Sequence, residues 1–147
     1  MKHFFITVFL GLLISAAHAQ HAPALTFNHQ ALQVHNLDES AAFYQEVLGL
    51  TEIEDKTEQP HIRWFSMGSK LELHLIEDPS APEAPVKGVH MALSTADLDG
   101  MMQHLKSKEI PFENWMGEAG TTNSRPDGVR QIYVQDPDGY WIEINGK

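Results

Sequence analysis

Two histidines stand 61 positions apart in matching surroundings. Asn28-His29-Gln30-Ala31-Leu32 is answered by Val89-His90-Met91-Ala92-Leu93. Two further segments carry acid and imidazole side chains: Leu71-Glu72-Leu73-His74 and Ile142-Glu143-Ile144. Side chains two apart on a strand share a face, so Glu72 and His74 point the same way. Imidazole nitrogens and carboxylates without a thiolate suit one divalent cation: Ni, Zn, Fe, Mn or Co. The chain has no cysteine, which rules out disulfides, thiolate metal sites and a cysteine nucleophile.

These residues lie in elements that occur twice. Residues 26–35 and 87–95 alternate like strands. Each is followed by a capped helix: Asn36-Leu37-Asp38 opens one carrying Phe43, Val47 and Leu50, and Asp97 opens one carrying Leu98, Met101, Met102 and Leu105. Strand patterns return at 61–67 and 70–77, and again at 129–135 and 140–145 around Asp136-Pro137-Asp138-Gly139. The stretch 78–87, with three prolines, reads as a linker and 117–128 as a loop. The expected fold class is α+β, with two paired βαβββ modules at about 25–79 and 86–147. Each module alone is small for a core, so the two should pack as one domain.

The first twenty residues read as an address. Lys2, the apolar run Phe4 to Ile14 and the small-residue signature Ala17-His18-Ala19 form a signal-peptide pattern. Cleavage after Ala19 leaves 20–147 as a single exported domain, expected in the periplasm. The run is shorter than the roughly 20 residues that span a bilayer, so no membrane attachment is expected after cleavage. The net charge of −10 becomes −11 once Lys2 is gone, which speaks against a nucleic-acid partner.

The segments 27–50, 88–100 and 129–145 resemble the glyoxalase/bleomycin-resistance/extradiol-dioxygenase superfamily, also called vicinal oxygen chelate proteins. The opening NHxAL…FYxxVLGL and the ending DPDGYWIEI carry the resemblance. It implies paired modules forming a cupped, barrel-like mixed sheet with flanking helices around a divalent metal. His29, His90 and Glu143 then fall on ligand positions. The fourth ligand is His74 or Glu72: the repeat, matched by the glycine turns, sets Glu72 against Glu143, while some relatives favour a histidine where His74 stands. Strand alternation does not choose between them.

The resemblance further implies that a metal stabilises an enediolate-type oxyanion while Glu143 or Glu72 moves a proton. Glyoxalase-like lyase or isomerase chemistry on a small oxygenated substrate leads. An Fe(II) extradiol-type dioxygenase, a thiol transferase and a small-molecule-sequestering protein are the alternatives. A homodimer is expected on the resemblance alone. Arg125 and Arg130 are candidates for holding an anionic substrate, against the simpler reading of surface ion pairs. Trp64, Trp115 and Trp141 read first as packing residues.

Overall fold

The computed structural model describes residues 22–146, so the leader reading of 1–19 lies outside the described residues. The first module contains β1 (His29–Val34), α1 (Leu37–Ala42), β2 (Thr51–Ile53), β3 (Ile62–Ser66) and β4 (Glu72–Glu77). The second contains β5 (His90–Thr95), α2 (Leu98–Ser107), β6 (Phe112–Glu113), β7 (Asn123–Ser124), β8 (Arg130–Gln135) and β9 (Trp141–Gly146). The sheet orders are β1-β4-β3-β2 and β5-β9-β8-β6, with β7 paired to β8. In each sheet the first strand runs parallel to the last, and the other pairs are antiparallel. The α+β class and the two βαβββ-type modules are as expected, except that the sheets do not close into a barrel. The short strands β2, β6 and β7 leave no mark in the sequence pattern, because two or three residues give no usable alternation.

Period-two alternation decides the two faces of each sheet. Leu32 and Val34 on β1, Leu73 and Leu75 on β4, Ile132 and Val134 on β8, and Ile142 and Ile144 on β9 join one apolar core drawn from both modules. The opposite faces carry His29, Glu72 and His74 in one sheet, and His90, Tyr133 and Glu143 in the other.

Asn36 caps α1 by accepting the Glu39 N–H at 3.1 Å. The helix then widens into a π-helical turn over Phe43–Val47, closed by the Leu48 N–H on the Phe43 carbonyl. Gly49, at φ +71°, ends it. Tyr44 sits in this turn, fully buried, and its hydroxyl crosses to Asp136 Oδ2 at 2.8 Å. Three more bonds meet the same β8–β9 turn, on Asp138. Ser40 Oγ donates to it at 2.7 Å, and the His35 backbone N–H and ring Nδ1 both meet it at 2.7 Å. The Asp-Pro-Asp-Gly turn of the second module is thereby fastened to the residue after β1, to α1 and to the π-helical turn of the first.

Gly139 completes that turn at φ +86°. A Cβ there would meet only ordinary contacts, 3.6 Å from Ala84 and 3.7 Å from Gln135, so backbone strain is the cost of replacing it. Gly139→Ala should destabilise the fold by about 1 kcal/mol, seen as a drop of a few degrees in the thermal midpoint by circular dichroism.

Candidate functional site

In the second module the ladder sets Tyr133 opposite Glu143 and Gln131 opposite Asn145. All four side chains are buried. Asn145 Nδ2 donates to Glu143 Oε1 at 2.6 Å, the Tyr133 hydroxyl donates to Glu143 Oε2, and Gln131 Nε2 donates to the Tyr133 oxygen at 2.5 Å. Burial, followed by the bond to Glu143, pushes the Tyr133 hydroxyl well above its usual range, with Arg125 pulling weakly the other way. Tyr133 therefore remains a donor at all ordinary pH. His90 lies beside this carboxylate, with Nε2 at 3.3 Å from Glu143 Oε2. Its Nδ1 is 2.8 Å from the Lys87 carbonyl, which accepts the Nδ1–H and so orients the ring with Nε2 turned to Glu143. The second-module half-site is thus an oriented imidazole beside a carboxylate held on both oxygens.

In the first module β1 and β4 bring His29, Glu72 and His74 to one face. His74 lies flat between two rings. Trp64 stacks on it at 4.0 Å with 4° between planes, and His29 stacks at 4.3 Å with 10°. His74 Nε2 is 3.1 Å from Glu72 Oε2.

The ladders also correct how the repeat was matched. Ala31 pairs with His74 in one module, and Ala92, its repeat partner, pairs with Glu143 in the other. On the next strand Trp64 pairs with His74 as Tyr133 pairs with Glu143. The counterpart of Glu143 is therefore His74, and Glu72 corresponds to Trp141. Sliding a strand by two residues keeps every side chain on its face, so hydrophobic alternation could not reveal the difference.

The donors fit a divalent cation in kind, and the Nδ1–carbonyl bond of His90 is a usual device for orienting a metal-binding imidazole. They stand as two half-sites. Among the described residues no group of three or more His, Asp or Glu is assembled to hold a metal, so His29, His74, His90, Glu143 and Glu72 do not meet in one cluster. His90 itself opens on a cleft of about 600 Å³ whose other wall includes Phe27, Gln30, Met67 and Leu71. Buried Gln131 Oε1 and Asn145 Oδ1 find no hydrogen-bond partner among the described residues.

Arg125 pairs with Asp127 at 2.7 Å, and Arg130 grips Asp99 through two nitrogens at 2.8 and 3.2 Å. Both are engaged in surface ion pairs rather than with either half-site. Sequence reasoning missed Tyr133, Asn145 and Gln131. The only signal was their alternation with Ile132 and Ile144, on the face that carries Glu143.

Two modules of this topology, each presenting a first-strand histidine beside a last-strand ligand-type side chain, define a known class. The chain belongs to the Glyoxalase/Bleomycin resistance protein/Dioxygenase superfamily, whose model matches residues 26–144. Among its relatives, the uncharacterized protein YwbC of Bacillus subtilis (strain 168) is 30% identical over 129 residues, covering 82% of this chain and 97% of its own. Glyoxylase I 4 of Arabidopsis thaliana is 26% identical over 125 residues, covering 81% and 69%. The crystal structure of a glyoxalase family protein from Bacillus anthracis matches with a TM-score of 0.69 at 24% identity, covering 87% of this chain and 99% of its own.

Proposed function

We propose that this protein is an exported, metal-dependent enzyme of the glyoxalase type that moves a proton on a small substrate bearing vicinal oxygens. The observation that carries the reading is His90, locked by the Lys87 carbonyl with Nε2 turned to Glu143, and matched on the equivalent rungs of the first module by His29 and His74. His29, His74, His90 and Glu143 would hold one Ni, Zn, Fe, Mn or Co ion. When bound, such an ion supplies Lewis-acid stabilisation of a developing oxyanion. Glu143, supported by Asn145 and Tyr133, is the carboxylate placed to hold a proton. Glu72 holds His74 in its stack, and is the alternative base.

Half-sites that do not meet within the described residues need a partner. A twofold pair, with the first module of one copy facing the second module of the other, would complete two sites at once.

The test is metal analysis and sedimentation of the protein expressed with its leader and recovered by osmotic shock. One divalent ion per chain, a two-chain mass and an N-terminus at Gln20 are the expected results. Iron would direct assays to ring-cleaving oxygenation, and nickel or zinc to glyoxalase-type isomerisation. Failure to take up any of the five ions on reconstitution would overturn the reading.

A further inference from the structure

The turn that enters β5 decides where its carbonyls point. Val86, Lys87, Gly88 and Val89 form it, closed by the Val89 N–H on the Val86 carbonyl at 2.8 Å. Gly88 is not among the glycines with positive φ. A turn with glycine at its third position has a second form, with positive φ there, reached by flipping the central peptide. The observed form sends the Lys87 carbonyl to His90 Nδ1 at 2.8 Å. A flip would turn that oxygen away and release the ring. We propose that Lys87 is a positioning residue for His90: its ammonium, fastened to the far edge of the sheet, holds the Lys87–Gly88 peptide in the form that orients the imidazole. The purpose of this device rests on the metal reading above; its geometry does not.

Reach is the first argument. One rung runs through Ala92, Glu143, Tyr133 and Glu113, across β5, β9, β8 and β6. Lys87 precedes β5, yet its Nζ pairs with Glu113 on β6. On the way it lies over the Trp141 ring at 4.6 Å and the Tyr133 ring at 5.4 Å. The side chain is therefore a strap from one edge strand to the other, over the face that carries Glu143.

The anchor is the second. An ammonium has three N–H donors. Besides Glu113, this one meets the Asn114 and Trp115 carbonyls at 3.1 and 3.4 Å. Lysine heads ordinarily stay in water, but the Lys87 side chain is only 16% exposed. The segment it grips is itself fixed. Asn114 Oδ1 accepts the Glu118 N–H at 3.0 Å, and the Trp115 N–H donates to Asn123 Oδ1 at 2.9 Å.

The freedom of Gly88 is the third. A Cβ added there would meet no described atom within 4 Å. Packing at Gly88 therefore does not choose between the two forms of the turn. The two ends of Lys87 do, the ammonium on β6 and the carbonyl on His90.

The experiment observes the ring Nδ1–H of His90 by NMR in the metal-free protein, assigned by its loss in His90→Gln, beside calorimetric titration with Zn²⁺. The wild type should show an exchange-protected resonance. Lys87→Met keeps the apolar stem over the two rings and removes the ammonium. It should lose the resonance and bind Zn²⁺ roughly tenfold more weakly, as for other groups that orient a metal ligand. Alanine disfavours the flipped turn by roughly fivefold or more, so Lys87→Met/Gly88→Ala should regain both the resonance and most of the affinity. General stabilisation would raise the thermal midpoint of the double variant without returning the resonance. Gly88→Ala alone, which leaves the strap intact, should slow exchange of the same proton roughly fivefold. A resonance intact in Lys87→Met, or absent from the double variant, would overturn the proposal, as would unchanged exchange in Gly88→Ala. Failure of the wild type to bind Zn²⁺, with the resonances behaving as expected, would instead overturn the metal reading and leave the strap standing.

Discussion

Replacing Glu143 by Gln should weaken binding of Zn²⁺ or Ni²⁺ by roughly a hundredfold or more, beyond the 10–100-fold typical of groups one bond further from a metal. Glutamine is nearly isosteric and can still accept from Tyr133, so the fold should persist. What disappears is the negative charge, and with it the only carboxylate in contact with His90 among the described residues. The surroundings cannot substitute for it: Asn145 and Tyr133, which donate to Glu143, and Gln131, which donates to the Tyr133 oxygen, are all neutral. Isothermal titration of both proteins, with circular dichroism as the folding control, gives the comparison. Unchanged affinity in Glu143→Gln would remove Glu143 from the metal site.

The second large effect is on stability against pH. Asp136 is buried at the module seam, and burial pushes its carboxyl up to about 6, despite donors from Tyr44 and from the Tyr140 and Asp138 backbone that favour the ionised form. Asp138 on the same turn adds repulsion. The other groups around this seam are Tyr44 and Tyr140, both held protonated chiefly by burial, and His35, raised by its bond to Asp138, with Asp78 nearby.

A group whose folded value is raised favours folding in its protonated form. Its contribution is fully present below 3.8, the ordinary value, and is lost as pH climbs to about 6. That displacement corresponds to about 3 kcal/mol. Asp136→Asn is a permanent stand-in for the protonated acid. Its unfolding free energy should match wild type near pH 4 and exceed it by up to that amount above pH 6. Glu52 and Asp99, held below the carboxylate range by Arg63 and Arg130, act in the opposite direction. The difference between variant and wild type is therefore the quantity to follow, by urea unfolding at several pH values. Parallel pH curves would show that folding does not displace the Asp136 carboxyl from its ordinary value.

Much of this was legible in the chain. The matched pentapeptides around His29 and His90 announce a repeated strand, and the Asn36 and Asp97 caps announce the helices. The expectation erred where long-range pairing sets the answer. Gly68 and Gly139 each stand four residues before a glutamate, which invites pairing Glu72 with Glu143. The ladders on β1 and β5 instead pair His74 with Ala31 and Glu143 with Ala92. No local pattern encodes that choice, because both registers bury the same leucines. Nor could the sequence show that His74 would be stacked between Trp64 and His29, or that Lys87 would use its carbonyl on His90 and its ammonium over the Trp141 and Tyr133 rings.

Every ladder in the described residues closes within its own module; the fastening between modules described above relies on side chains. This has an evolutionary corollary. If the halves descend from one duplicated ancestor, neither needs the other's rungs to keep its register. A change on one polar face then leaves the opposite face intact. The same rung holds an imidazole between flat rings in one half and a buried carboxylate under a phenol in the other. Two copies of one unit were free to diverge into different chemistries while a four-residue acidic turn kept them joined.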